Sequence, residues 1–207
     1  MATSPDHADM NIEPADITAG ILAGGRASRL GGIDKGWYAL DGRALIEHTL
    51  DRVVPQCGQV MISANRSLAR YRALGLSVVV DDRHEYENYP GPLAGVARLL
   101  EAAATPYVLI VPVDTPRLPV DLGRCLARPM KAETQLAVAR CSARVQPLHA
   151  LMRRDVFADL DRALADGVRG VNAWQSGLER VLVDWPDCTA FRNLNSADDA
   201  RHFPATP

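Results

Sequence analysis

Leu22-Ala23-Gly24-Gly25-Arg26-Ala27-Ser28-Arg29-Leu30-Gly31-Gly32-Ile33-Asp34-Lys35-Gly36 is the stretch whose reading decides the fold. The apolar run Ile17 to Leu22 leads into it and predicts a buried strand. Two glycine pairs, two arginines and Lys35 then share one short loop. Glycine lets a backbone come close to a ligand and point several N–H groups at it. Cations beside such a backbone suit a polyphosphate, with its many charged acceptor oxygens. Neither common phosphate loop fits. A Walker loop needs Gly-Lys followed by Ser or Thr, but Asp34 precedes Lys35 and Gly36 follows it; a Rossmann fingerprint needs G-x-G-x-x-G, and Gly24 and Gly25 are adjacent.

Outward from the loop, short apolar runs alternate with amphipathic stretches. Val60 to Ile62, Val78 to Val80 and Tyr107 to Val111 lack polar alternation and predict strands of a parallel sheet buried on both faces. Ala44 to Val54 predicts a helix with Ile46, Leu50, Val53 and Val54 on one stripe, ended by Pro55. Pro92 opens a second helix, Leu93 to Ala104, with Leu93, Val96 and Leu100 inward. This rhythm predicts an α/β fold with a mostly parallel sheet. Further on, Leu136 to Ala139 and Leu148 to Met152 predict strands. Asp155 to Ala165 predicts a helix closing at Gly167, and Val181 to Val183 a last strand. A terminal helix follows, capped by Ser196. Residues 1–16 read as a disordered tail and 17–204 as one domain, whose second half supplies one wall of a cleft.

The chain has 207 residues, 47% of them apolar and 23% charged, which suits one domain with a substantial core. A net charge of -2 argues against nucleic acid as a partner. No apolar run approaches the roughly 20 residues of a membrane span, and the acidic start is no signal peptide. Cys57, Cys125, Cys141 and Cys188 are widely spaced and form no metal motif, so reduced structural thiols and a cytoplasmic location are expected.

Ligands of open α/β sheets sit beyond the carboxyl ends of the strands. The glycine loop, Asp81 and Asp114 each follow a predicted strand, so all three converge on one edge if those strands are parallel neighbours. Asp114 stands where an apolar strand meets the surface. A carboxylate there can hold Mg²⁺ while waters and phosphates complete its shell, or it can cap a turn with Thr115 and Pro116. Lys35 and Arg29 would neutralise a polyphosphate and the charge gathering on departing pyrophosphate. The five histidines form no cluster, and His149 reads as structural.

The loop closely resembles that of the molybdenum cofactor guanylyltransferases, within the nucleotidyltransferase superfamily. Their pattern L-A-G-G, an arginine, then M/L-G-G-x-D-K stands complete between Leu22 and Lys35. Asn65-Arg66, Asp81, Tyr89 to Gly95, Pro112 to Pro116 and Asn193 to Ser196 follow in the family's order, so the resemblance runs from about Thr18 to His202. It implies a Rossmann-like, three-layer α/β/α fold with a mostly parallel central sheet. It also implies Mg²⁺-dependent transfer of GMP from GTP to the terminal phosphate of molybdopterin, with Lys35, Arg29 and Asp114 catalytic. Leu22, Ala23, Gly24, Gly25, Lys35, Ser63, Asn65, Asp81, Pro92, Leu93 and Asp114 would bind GTP, Asp114 also the metal, and Asn193 and Asn195 the pterin substrate. Asp81 could take the paired donors of guanine or contact the ribose. Ser63 departs from the family's usual asparagine, and Gln146 from a histidine or similar residue. Implied partners are the two substrates, with molybdopterin-supplying or molybdoenzyme-chaperone proteins further candidates. A cytidylyltransferase using CTP, a sugar-1-phosphate nucleotidyltransferase and a cofactor-carrying protein without transferase activity remain alternatives.

Overall fold

Ile17–Leu22 forms β1 at the middle of a seven-stranded sheet. The computed structural model describes residues 11–24, 34–80, 91–201 and 203. The other strands are β2 (Ala39–Leu40), β3 (Arg43–Ala44), β4 (Gln59–Ser63), β5 (Ser77–Val79), β6 (Tyr107–Pro112), β7 (Leu136–Cys141), β8 (Arg144–Arg153) and β9 (Arg180–Trp185). The large sheet runs β5-β4-β1-β6-β8-β7-β9, while β2 and β3 make a separate hairpin. β8 alone opposes the rest, pairing antiparallel with both β6 and β7. The sheet is therefore mostly parallel, as expected. Register sets Leu22 opposite both Ser63 and Pro112, so the ends of β4, β1 and β6 share one edge.

Two apolar layers sandwich the sheet, giving the expected three layers. α3 (Pro92–Ala102), α5 (Phe157–Ala165) and α6 (Val171–Gln175) cover one face, burying Leu93, Val96, Leu160, Leu164 and Trp174. α1 (Leu45–Val53), α2 (Leu68–Arg72) and α4 (Leu122–Ala127) cover the other with Leu45, Ile46, Val53, Tyr71, Leu122 and Leu126. α7 (Ala197–Arg201) closes the described chain, and Ser196 Oγ accepts the Asp199 amide at 3.0 Å, the expected cap. β1 carries Gly20 because a Cβ there would stand 2.8 Å from Leu99 of α3, so the glycine admits the helix to the sheet.

Three expectations change. Val54 is exposed rather than inward, because α1 ends at Val53 and the chain turns through Pro55. Buried Thr49 takes the inward place, with Oγ1 donating to the carbonyls of Leu45 at 3.0 Å and Val113 at 3.3 Å. Within the stretch read as a tail, Pro14–Asp16 forms a 3-10 turn and Ile12 packs on the core. Third, Cys141 and Cys188 are joined as a disulfide, with Cα atoms 5.6 Å apart, whereas Cys57 and Cys125 are free. The pairing follows from topology: β9 runs parallel beside β7 and sets Trp185 opposite Cys141, so the chain three residues later lies against that strand end. No helix among the described residues is long and apolar enough to cross a membrane.

Candidate active site

The shared strand edge continues into the loops that follow it. Beyond β1, the Ala23 amide donates to the Ser63 carbonyl at 2.8 Å, and beyond β6 the Val113 amide donates to the Leu22 carbonyl at 3.1 Å. These bonds clamp the exit of β1, where the glycine loop begins, between the exits of β4 and β6. Gly24 lies beside Asn65, whose Nδ2 would be 3.8 Å from a Cβ at that position. Ser63 is buried under α3, where a Cβ on Gly95 would meet its Oγ at 2.8 Å. Pro92 opens α3 at the surface after Gly91, whose φ of 65° lies in the left-handed region that favours glycine. Leu93 is fully buried, so its side chain belongs to the core.

Lys35 returns to this edge at the head of the 3-10 turn Lys35–Trp37, which Asp34 caps by accepting the Gly36 amide at 3.2 Å. Its Nζ donates to Asp114 Oδ2 at 2.5 Å and to Asn195 Oδ1 at 2.6 Å. The Lys35 and Asp114 side chains are only 13% and 14% exposed, so the pair is shielded but not sealed from solvent. An ammonium carries three donors, and these contacts use two.

Asp114 is held from both sides of the chain. Its carbonyl accepts the Leu194 amide at 2.8 Å, which lays the segment Asn193 to Asn195 along the exit of β6. Leu194 is fully buried while Asn193 and Asn195 on either side are exposed, the alternation expected of an extended segment. Asp199 Oδ2 accepts the Asn195 amide at 2.9 Å and steadies that residue from α7. Next to Asp114, Thr115 Oγ1 lies 3.2 Å from the Pro112 carbonyl and 3.2 Å from His149 Nε2. Burial pushes the His149 imidazole down to about 3, so it is neutral near pH 7, and it stacks edge-on against Phe191 at 4.9 Å. His149 is a core residue supporting the turn, as expected.

Asp114 Oδ1 is buried without a hydrogen-bond partner among the described residues. A cation complements such an orphaned carboxylate oxygen. No group of three or more His, Cys, Asp and Glu side chains converges there among the described residues. A metal held by Asp114 would therefore draw most of its shell from substrate oxygens and water, the habit of Mg²⁺ at phosphates.

The fold thus brings Lys35, Asp114 and Asn195 into contact and sets Leu22, Ala23, Gly24, Ser63, Asn65, Pro92 and Leu93 along the neighbouring strand exits. Gly25, Arg29 and Asp81 lie outside the described residues. Two participants escaped the sequence reading. Asp34 shapes the turn under Lys35, and its signal was an aspartate directly before a turn residue. Thr49 ties α1 to the Asp114 loop, and a threonine on an apolar helix face carries no such signal.

Residues 19–181 match the MobA-like NTP transferase domain. The chain belongs to that family. As a MobA-like nucleotidyltransferase it is 42% identical over 197 residues to a molybdenum cofactor guanylyltransferase of Bordetella pertussis, covering 93% of this chain and 98% of that protein. It is 38% identical over 202 residues to one of Ralstonia nicotianae, covering 93% and 98%. The molybdopterin-guanine dinucleotide biosynthesis protein A of Archaeoglobus fulgidus shares the fold with a TM-score of 0.71 at 20% identity, covering 90% of this chain and 96% of that one. So does a Mycobacterium tuberculosis protein solved with manganese, with a TM-score of 0.57 at 20% identity, covering 91% and 98%. Nucleotidyltransferases of this kind generally use a divalent metal.

Proposed function

We propose that this cleft transfers GMP from GTP to the terminal phosphate of molybdopterin, releasing pyrophosphate and forming the guanine dinucleotide cofactor. The single observation that carries this is the contact of Lys35 with Asp114 and Asn195, in a chain whose relatives bear the name molybdenum cofactor guanylyltransferase. An oxygen of the substrate phosphate attacks the α-phosphorus, and the bond from that phosphorus to the β-bridging oxygen breaks, leaving pyrophosphate. The nucleophile is already largely dianionic near neutral pH, because its second pKa is about 6, so the step needs no general base. That matches a site whose buried histidine is sealed into the core.

Asp114 would hold Mg²⁺ through its orphaned Oδ1, and the ion would supply charge stabilisation at the phosphate oxygens. Lys35 would place a compact charge where the triphosphate and the leaving pyrophosphate gather negative charge, and Arg29 and Gly25, which lie outside the described residues, would add to it. Leu22, Ala23 and Gly24 offer backbone at the exit of β1. Asn65, Ser63, Pro92 and Leu93 would flank the nucleoside side, and Asp81, outside the described residues, would join them. Asn193 and Asn195 form the pterin side, where Asn195 also orients Lys35. Catalysis then rests on in-line positioning and charge stabilisation.

The test is mass spectrometry of the product from GTP, Mg²⁺ and molybdopterin, with CTP in a parallel reaction. A guanine dinucleotide is expected. Exclusive use of CTP, or binding of GTP without pyrophosphate release, would overturn the reading.

A further inference from the structure

At the turn that carries Lys35, a polar contact is built into the apolar core. Tyr71 of α2 is fully buried, and its Oη donates to Asp34 Oδ1 at 2.7 Å. The same oxygen accepts the Gly36 amide, so one carboxylate oxygen joins the core to the turn that begins at Lys35. Trp37, at the end of that turn, packs against Tyr71 with ring centroids 5.1 Å apart, and the Arg70 guanidinium covers Trp37 at 3.9 Å. The fit leaves no slack, because a Cβ on Gly36 would stand 2.2 Å from Tyr71 Oη. Burial and the Asp34 carboxylate both push the phenol up, so it stays protonated and acts only as a donor. Phenylalanine would fill nearly the same volume, and among the described residues the hydroxyl's hydrogen bond is to Asp34.

We infer that Tyr71 is a positioning residue for Lys35: through Asp34 it sets the height and direction of the turn that delivers the Lys35 ammonium to Asp114 and Asn195. The inference rests on the proposed reading of Lys35 as a participant in guanylyl transfer. A reacting charge displaced by about 1 Å can lose about 100-fold in rate. A core hydrogen bond more than 30 positions along the chain thereby becomes part of the alignment of the site.

The test is a pair of lesions made from opposite sides of the contact, Tyr71→Phe and Gly36→Ala, each in the wild-type and the Lys35→Ala backgrounds. Single-turnover pyrophosphate release with GTP, Mg²⁺ and molybdopterin gives the rate, equilibrium titration gives GTP affinity, and thermal melting reports folding. In the wild-type background each lesion is expected to slow transfer about 10-fold or more while the protein stays folded. In the Lys35→Ala background neither should slow transfer or weaken GTP further, because residues acting in series are non-additive. Full activity of folded Tyr71→Phe overturns the inference, as does an equal loss in both backgrounds. If Tyr71→Phe fails to fold, Gly36→Ala decides; failure of both to fold counts against the inference, since Tyr71 would then be a packing residue only. A wild-type protein that releases no pyrophosphate would instead sink the guanylyl reading.

Discussion

Lys35 and Asp114 stand 79 positions apart in the chain, yet Nζ and Oδ2 meet at 2.5 Å. The ion pair gives the Asp114 carboxylate a counter-charge within the fold. Two largely buried charges held together lose hydration, and here their mutual attraction and the Lys35–Asn195 hydrogen bond offset part of that loss, while Asp114 Oδ1 keeps no partner among the described residues. In the proposed reading Lys35 bonds Oδ2 while Oδ1 is the oxygen offered to a metal.

Asp114→Asn keeps the shape of the side chain and removes its charge. Pyrophosphate release is expected to fall about 100-fold or more, the scale of losing a charge-stabilising group. The partner Lys35 would be left without its counter-charge. Near-normal turnover at saturating Mg²⁺ would refute the metal role of Asp114.

Chelation of divalent metal should stop turnover without loosening the fold, because Lys35 already compensates Asp114. We expect the melting temperature to move by less than about 2 °C, while a change of 1 kcal/mol would move it roughly 2–4 °C in a chain of this size. A collapse of melting temperature on chelation would show that the metal is structural.

Gly95→Ala pits two effects against each other. Alanine in a helix interior gains about 1 kcal/mol over glycine. Here, however, its Cβ would stand 2.8 Å from Ser63 Oγ and 3.0 Å from Leu22 Cδ2. Overpacking of this kind costs about 1–3 kcal/mol. Urea unfolding should show net destabilisation, and KM for GTP should rise, because both displaced residues border the glycine loop. A stabilised variant would mean that the gap under α3 yields easily.

Cys188→Ser should lower stability to urea by about 2–4 kcal/mol through loss of the link to Cys141, which closes a long loop. The same loss should follow from a strong reductant. Phe191 and Leu194 lie three and six residues after Cys188, so Asn195 would be less well held and KM for molybdopterin should rise. Identical unfolding curves with and without reductant would contradict the link.

His149 makes a pH prediction whose sign is definite. Its folded pKa lies near 3, below the ordinary value of 6.5, so the unfolded chain binds the proton more readily. The stabilisation is complete above about pH 6.5 and is lost as pH falls toward 3, with a slope of about 1.4 kcal/mol per pH unit. His149→Gln should flatten that slope in urea titrations between pH 6 and 4. An unchanged slope would assign it to other groups.

Local signals were legible wherever a segment decided its own state. The apolar runs of β1, β4, β5 and β6 and the proline opening α3 needed only their neighbours, and so did the Ser196 cap. Short helices such as α2, α4 and α6 went unread because five or six residues carry too little periodicity to declare a face. Val54 misled for a related reason: its position in the helical stripe assumed a turn that the chain leaves at Val53.

By itself the chain's residue order settled that a glycine-rich cationic loop leaves a buried strand and that an acid leaves another, since both are properties of adjacent residues. Only tertiary structure decided which distant groups meet: Lys35 with Asn195, Tyr71 with Asp34, and Cys141 with Cys188. Those meetings depend on strand order and register, and a hydrogen bond between residues far apart in the chain leaves no periodic trace in the sequence between them.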